Sequence, residues 1–414
     1  FGQSAGGVLS LSMKSGTKEL HGTAYYFGRN PALNAVANSV THSKNTSRYH
    51  IGGGNAGFPI IKNKLFAFAS YEQWRSQFPD TAMMTMPTDL ERTGDFSQSL
   101  NALGGLRTIY DPWSTKLDPV TGAVSRTPFA GNVIPQNRMD PTSVIFMKDV
   151  WKANNPGNDI TGVYNYKLTF PWWSDYKNWS GRVDYNPNDK WKMYGRYSQF
   201  REWESNNNFA NSPAFTDRDG GLTATINTAI DAVYTINPTT VLDLRWGITL
   251  FGIDYDSPWA RMEGGIDGYS KFWPNNPWYK PYMKDMSKFF YPRLTVGSWY
   301  SGMTGLWLHK PRKASYQPSM AKYKGRHNMK FGVSLRQEWE HTALPDPWNF
   351  TFSATDTADT FISPNTKVSG DPWATFLLGS VGGYSSYSPV ILSRENQWAA
   401  YFQVDIKFNR NVTL

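Results

Sequence analysis

The feature that most constrains this chain is a two-residue alternation sustained over runs of about ten residues or more. In "TVLDLRWGITLFGIDY", Leu242, Leu244, Trp246, Ile248 and Leu250 fall on one side of an extended segment, with Asp243, Arg245 and Thr249 on the other. In "HNMKFGVSLRQEWEH", Met329, Phe331, Val333, Leu335 and Trp339 alternate with Lys330, Ser334, Arg336, Glu338 and Glu340. Trp179, Val183 and Tyr185 oppose Ser180, Arg182 and Asp184, and Trp398, Phe402, Val404, Ile406 and Phe408 oppose Gln397, Gln403, Asp405 and Lys407. Side chains alternate faces only in a strand, so these runs are strands with one apolar and one ionic face.

A half-buried soluble sheet alternates too, but soluble strands are typically about five or six residues long. The runs here are about twice that, the length a tilted strand needs to cross a bilayer. An ionic face suits a water-filled lumen, and an apolar face ending in Trp or Tyr suits lipid and its interfacial aromatic girdle. Mean hydropathy is low, as a barrel allows, and no apolar run approaches the eighteen or more residues of a spanning helix. The connections carry a second signal. Turn-like links at 186–190, 237–240, 324–327 and 409–411 alternate with long ones at 76–177, 255–310 and 342–392, the pattern of tight periplasmic turns and extended outer loops. Ten strands are expected, at 19–29, 48–55, 65–75, 178–186, 191–203, 222–236, 241–254, 312–323, 328–341 and 393–408, with the start of an eleventh.

"IGGGNAGFPIIKNKLFAFASYEQW" carries Gly52, Gly54 and Gly57 at the G-x-G-x-x-G spacing. A dinucleotide loop must open a helix, whereas this stretch runs into Phe58-Pro59 and an aromatic segment without helical period. The glycines instead permit bending or close backbone approach. The expected layout is a strand at 48–55, a turn at 58–64 that contains Pro59, and a strand at 65–75.

The chain starts on Phe without a charged and apolar leader, so it is expected to be a piece of a longer protein. It has no cysteine, which excludes disulfides and thiolate metal sites. The net charge of +9 comes from scattered Lys and Arg with no run of five, which reads as a mixed surface and not as a nucleic-acid footprint.

The order of landmarks resembles TonB-dependent outer-membrane receptors, specifically the Oar-like group common in acidobacteria. "GGVLSLSMKSGTKELHGTAYYFGRN" is similar to that family's junction between plug and barrel, and "GGGNAGFPIIKNKLFAFASYEQWR" to its second hairpin. "PTDLERTGDFS", "IYDPWS", "RTPFAGNVIPQNRMDP" and "NYKLTFP" resemble its first long loop, in that order. "GRVDYNPNDKWKMYGRYS", "HNMKFGVSLRQEWE" and "AAYFQVDIKFNRNVTL" resemble successive strands. In the last, the family usually places Asp directly after Gln. Here Val404 intervenes before Asp405, and a one-residue slip would exchange the faces. The resemblance implies an all-β fold: a transmembrane antiparallel β-barrel of 22 strands around an N-terminal plug. Residues 1–17 would be the end of the plug, and 18–414 about half of the barrel. It also implies a bacterial outer-membrane location, with TonB and its inner-membrane energising complex, outer-membrane lipid and lipopolysaccharide as partners.

Chemistry finds little footing. His21, His42, His50, His309, His327 and His341 form neither H-x-H nor H-E-x-x-H, and no G-x-S-x-G elbow is present. Asp80, Asp89, Asp95 and Asp111 fall within one expected loop and read as solvated, ahead of calcium ligands or a glycosidase pair. No cofactor, metal or catalytic residue is assigned. The best binding candidate is the aromatic loop 269–302, with Trp273, Trp278, Tyr279, Tyr282, Phe289, Phe290, Tyr291, Trp299 and Tyr300, joined by Trp172 and Trp173. Such rings suit sugars, aryl ligands or a surface or accessory protein, or they pack the loop over the barrel mouth and give it a core of its own. The reading is a receptor that imports a bulky ligand, such as an oligosaccharide or peptide, without altering it. The alternative is an adhesin or assembly scaffold whose loops contact proteins without transport.

The face assignment makes a prediction. Leu244→Arg should cost about 2–4 kcal/mol at mid-bilayer, while Asp243→Arg is tolerated. Refolding stability in lipid measures both, and equal losses contradict the assigned faces.

Overall fold

The computed structural model describes residues 12–36, 44, 46–205, 210–214, 220–256, 261–284, 286, 288–301, 306–343, 349–359, 368–383 and 390–408. The first eleven residues of the expected plug end, and the turn expected at 409–411, lie outside them.

Eleven strands form one sheet. In chain order they are β1 (His21–Arg29), β2 (Arg48–Ile61), β3 (Leu65–Met84), β4 (Tyr166–Asn188), β5 (Trp191–Glu204), β6 (Gly221–Asn237), β7 (Thr240–Asp256), β8 (Leu306–His309), β9 (Arg312–Lys324), β10 (His327–Ala343) and β11 (Ile391–Ile406). Each long strand pairs antiparallel with the next, so the sheet is a meander. The short β8 continues the line of β9 between β7 and β10. Among the described residues β1 and β11 pair on one side only.

Directly opposed residues in a ladder share a face, so the register sorts the whole sheet. One row runs Ile230, Trp246, Tyr316, Leu335, Trp398. Another runs Tyr234, Leu242, Met320, Phe331, Phe402. Trp246, Phe331, Trp398 and Phe402 are exposed, so these rows form an apolar band open to the surroundings. The opposite face carries charge held in pairs. Arg182 meets Asp184 at 2.7 Å, and Arg245 donates to Asp231 at 2.7 Å. Asp243 lies 3.7 Å from Arg245. Near the free edge, Val404 pairs with Met329 in the apolar band, while Asn328 donates to Asp405 on the polar face at 3.3 Å. The inserted Val404 therefore leaves the faces in phase.

All ten expected strands are present. The tight links reduce to Asp189-Lys190, Pro238-Thr239 and Gly325-Arg326. Three expectations need correction. β3 and β4 are 20 and 23 residues long and rise well past 65–75 and 178–186, so the first long loop is 85–165 and Asp80 stands in a strand. β8 is additional. The turn at 58–64 is only Lys62-Asn63-Lys64, with Asn63 at φ 63°. Pro59 lies in β2 beside a register shift, where a bulge tolerates its missing donor.

The glycines of β2 serve close approach. The Cα of Gly16 and the carbonyl oxygen of Ser15 stand where a Gly57 side chain would meet them, each 3.5 Å from its ideal Cβ. A Cβ on Gly53 would fall 2.6 Å from the Tyr71 carbonyl oxygen, whereas one on Gly195 would meet nothing within 4 Å. Gly53→Ala is expected to lower stability by about 1–3 kcal/mol, and Gly195→Ala to leave it within about 0.5 kcal/mol. Urea titration of the refolded protein in lipid distinguishes them, and a Gly53→Ala variant as stable as Gly195→Ala contradicts the packing.

Candidate functional site: the loop domain and its aromatic cleft

The long connections all leave the same end of the sheet and pack together around a core of their own. Phe96, Ile109, Phe146, Trp299 and Phe376 lie at its centre. Met84 and Tyr166, opposed at the tops of β3 and β4, join it. By register they continue the face that carries Arg182 and Asp184, so the domain rests on the polar side of the wall.

Asp-Pro pairs set the local structure. Asp140 caps α1 (Pro141–Met147) by accepting from the Ser143 amide at 2.7 Å, and Asp371 caps α2 (Pro372–Leu377) by accepting from the Trp373 amide at 2.8 Å. Asp111 caps the turn Pro112–Ser114 in the same way. Proline fits the first helical position because its missing N–H would have no intrahelical partner. The Asp140 amide donates to the Leu377 carbonyl at 2.8 Å and so ties α1 to the end of α2.

Polar side chains fasten the loops to one another and the first loop to itself. The Arg107 guanidinium donates to Asp371 at 2.8 Å. One Arg126 nitrogen donates to the carbonyls of Thr355, Asp356 and Ala358 at 2.9–3.1 Å. Asn132, at φ 62°, accepts from the Ile109 amide and donates to the carbonyls of Phe96 and Arg107. Asn165 clasps Met86 through both its amide and its carbonyl. Asp149 accepts from Lys271 at 2.8 Å and from Tyr291 at 3.1 Å. Burial, with the Asp149 carboxylate beside it, holds the Tyr291 phenol well above its ordinary range.

The aromatic candidates divide. Tyr279, Tyr291 and Trp299 are 1%, 2% and 0% exposed and present no surface to a ligand in this packing. Trp172 is buried on Phe78, with ring centroids 4.5 Å apart. Trp273, Trp278 and Tyr300 are half-buried. Tyr282 is exposed, and Trp173 is exposed on the apolar-band side of the sheet, away from the loop domain. The structure therefore brings Trp273 and Trp278 together, at 5.2 Å edge to face, but not with Trp173 or Tyr282.

Trp273 also lines a cleft of about 170 Å³ with Phe146, Phe350, Phe352, Phe376 and Asp140. Ligand pockets usually span about 300–1,000 Å³, so this cleft accommodates one ring of a larger molecule. Of the acidic residues of the first loop, Asp89 pairs with Lys152 at 3.2 Å and Asp111 with Arg138 at 2.9 Å. Asp95 accepts from the Ser97 amide. Among the described residues no group of three His, Asp or Glu is placed to hold a metal.

An antiparallel wall with an exposed apolar band, an ion-paired inner face and all its long loops at one end is the wall of a membrane β-barrel. A family model described as the outer membrane beta barrel domain matches residues 12–414, and the chain belongs to that family. The apolar band therefore faces lipid in the outer membrane, and the loop domain is extracellular. Among solved structures the chain is similar to the outer membrane transporter YddB from Escherichia coli, at 7% identity and a TM-score of 0.40. The match covers 87% of this chain and 32% of that one, so the chain spans about a third of that transporter's length. No curated protein matches it by sequence.

The buried Asp371 makes the loop domain sensitive to pH. Burial and the nearby Glu91 raise its carboxyl to about 6 against the downward pull of Arg107. The unfolded value is 3.8, so between roughly pH 4 and 6 the folded state holds the extra proton. This group's contribution is then full below that window and is lost as pH rises through about 6. Hydrogen exchange at the α2 amides, corrected for intrinsic rates, should slow from pH 7 to pH 5. Asp371→Asn should flatten the dependence, and a wild-type profile that loosens over this range contradicts it.

Proposed function

We propose that this chain forms wall and outer loops of a TonB-dependent receptor of the Oar-like type. The receptor binds a bulky ligand at its extracellular domain and imports it through the barrel without altering it. The observation that carries the reading is the path of Ser15 and Gly16. Gly16 packs against Gly57 and against the backbone of Ala67, with Phe68 of the polar face alongside. A segment held against the inner wall just before the first strand is where a plug would join its barrel. The ion-paired inner face supports an aqueous passage, or a polar seat for a plug that TonB displaces. In this reading the cleft beside Trp273 receives one sugar or aromatic side chain of the cargo, and 22 strands complete the barrel.

The second reading, a surface adhesin or scaffold, has its own observation. The hairpin of Lys116–Leu117 and Val124–Ser125 carries Leu117 and Val120 at 67% and 91% exposure, a surface that suits protein contact.

The test uses the full-length protein in cells with and without TonB, supplied with a labelled oligosaccharide or peptide pool from the growth medium. Import reading: the label reaches the periplasm only when TonB is present, and Phe350→Ala lowers surface binding several-fold. Surface labelling that is equal in both strains, with none in the periplasm, supports the scaffold reading and overturns the import one.

A further inference from the structure

Three Asp-Pro caps shape the loop domain, and in two of them the carboxylate also meets a cation. Beyond its capping bond, Asp111 meets Arg138 at 2.9 Å and Asp371 meets Arg107 at 2.8 Å. Asp140 differs. One of its carboxylate oxygens caps α1 through the Ser143 amide, and the other has no hydrogen-bond or ion-pair partner among the described residues. The group is held in place all the same. The Asp140 amide donates to the Leu377 carbonyl at 2.8 Å, and Gly379, at φ 67°, lies so close that a Cβ there would fall 2.7 Å from the Asp140 Cβ.

A second polar group beside it also lacks a partner. Ser143 is 4% exposed, and its hydroxyl makes no hydrogen bond among the described residues. A hydroxyl enclosed to this degree and left unpaired favours a group that brings it a hydrogen bond. The neighbouring Thr142 hydroxyl donates to the Phe272 carbonyl at 3.3 Å, and its oxygen accepts nothing among the described residues. Asp140, Thr142 and Ser143 all line the cleft of about 170 Å³ beside Trp273, and Asp140 is the one charged residue that does so among the described residues. The rest of the lining is mainly aromatic. Trp273 and Phe350 are half-buried with ring centroids 6.1 Å apart, and Phe352 and Phe376 are buried.

The cleft thus offers apolar rings, one open carboxylate oxygen and two hydroxyls. An aryl ring uses the first and leaves the polar groups unpaired. A neutral sugar reaches the carboxylate through a hydroxyl but leaves its charge unbalanced. The end of a lysine balances the charge, yet it carries no acceptor for the Ser143 hydroxyl proton and brings a thin chain to a ring-sized space. A sugar ring with a charged amine uses all three. We propose that this cleft binds an amino sugar whose amine is free and charged, carried by an oligosaccharide. Its C–H face packs on Trp273 and Phe350, which also attract a cation. Its ammonium donates to the open Asp140 oxygen, a charge-assisted bond. Its neighbouring hydroxyls bond to Ser143 and Thr142. The inference rests on the reading that the cleft receives cargo, and it names the chemical class of that cargo.

The test uses the full-length protein in detergent and isothermal titration calorimetry at mildly acidic pH, where a sugar amine is charged. The probes are linear tetramers of glucosamine, of N-acetylglucosamine and of glucose, and a tetralysine peptide. The glucosamine tetramer is expected to bind at least tenfold more tightly than the other three and to weaken as salt rises. Asp140→Asn keeps a capping side chain and should lose at least tenfold for the glucosamine tetramer, while its binding of the N-acetylated one changes less than twofold. Ser143→Ala should lose several-fold, and Asp111→Asn less than twofold. Near-ultraviolet circular dichroism reports folding of the loop domain; if Asp140→Asn fails to fold, Ser143→Ala should still lose several-fold. Equal binding of the three sugars, peptide binding as tight as that of the glucosamine tetramer, no binding of any probe, or full binding by the folded Asp140→Asn variant each overturns the assignment. The import reading is decided separately, by whether label reaches the periplasm with and without TonB.

Discussion

The backbone ladder is the constraint on which the rest of this structure depends. In hydrocarbon no water is present to satisfy an N–H or C=O, and each unsatisfied group costs several kcal/mol. A strand that crosses must therefore bond to a neighbour along its whole buried length. Here that requirement produces a meander in which every long strand pairs antiparallel with the next. Once the ladder is fixed, the pleat sends alternate side chains to opposite sides, and the two solvents sort them. Leu242, Trp246, Phe331 and Phe402 meet acyl chains, while Arg182, Asp184, Asp231 and Arg245 meet one another across the inner surface. Among the described residues β1 and β11 each keep one edge without a strand partner, so the same constraint requires further pairing at both edges in the membrane.

Above the membrane the governing physics changes. Strands that rise past the lipid no longer alternate between two solvents, and the loops build a conventional protein interior against their inner side. That interior is aromatic, and it is fastened by buried polar side chains whose partners are loop carbonyls and amides. Arg126 joins three carbonyls of a loop distant in sequence, and Asn132 joins Phe96, Arg107 and Ile109 within the first loop. The loops thus form a shaped surface of fixed composition, which a receptor or a scaffold needs.

How much of this could be read beforehand follows from the same division. Inside the membrane the alternation is enforced residue by residue, so strands such as 240–256 and 327–343 stood out nearly to their ends. Val404, which departs from the resembled pattern, leaves the register intact, because the ladder with β10 is continuous through it. The upper halves of β3 and β4 give no such signal, because "SQFPDTAMM" and "YKLTFPWW" obey no simple period where both faces meet protein or water. Proline opposes strands, which points Pro59 to the turn, yet the bulge beside it removes the conflict. In the loops, aromatic content alone does not separate platforms from core, since Trp299 and Tyr282 belong to the same aromatic loop and have opposite exposure. The repeated Asp-Pro signal at 111, 140 and 371 did mark three capped turns and helices, and would have shown that these loops fold.

The most direct test of the two-solvent wall uses the absence of cysteine from the chain. Single cysteines placed in turn at positions 241 to 251 of the full-length protein, spin-labelled and reconstituted in lipid, report contact with dissolved oxygen and with a water-soluble nickel chelate. Oxygen contact should peak at 242, 244, 246, 248 and 250, and chelate contact at the positions between them, with a period of two residues. Equal access of the chelate to both sets, or shielding of Leu242 and Trp246 from oxygen, would contradict the account.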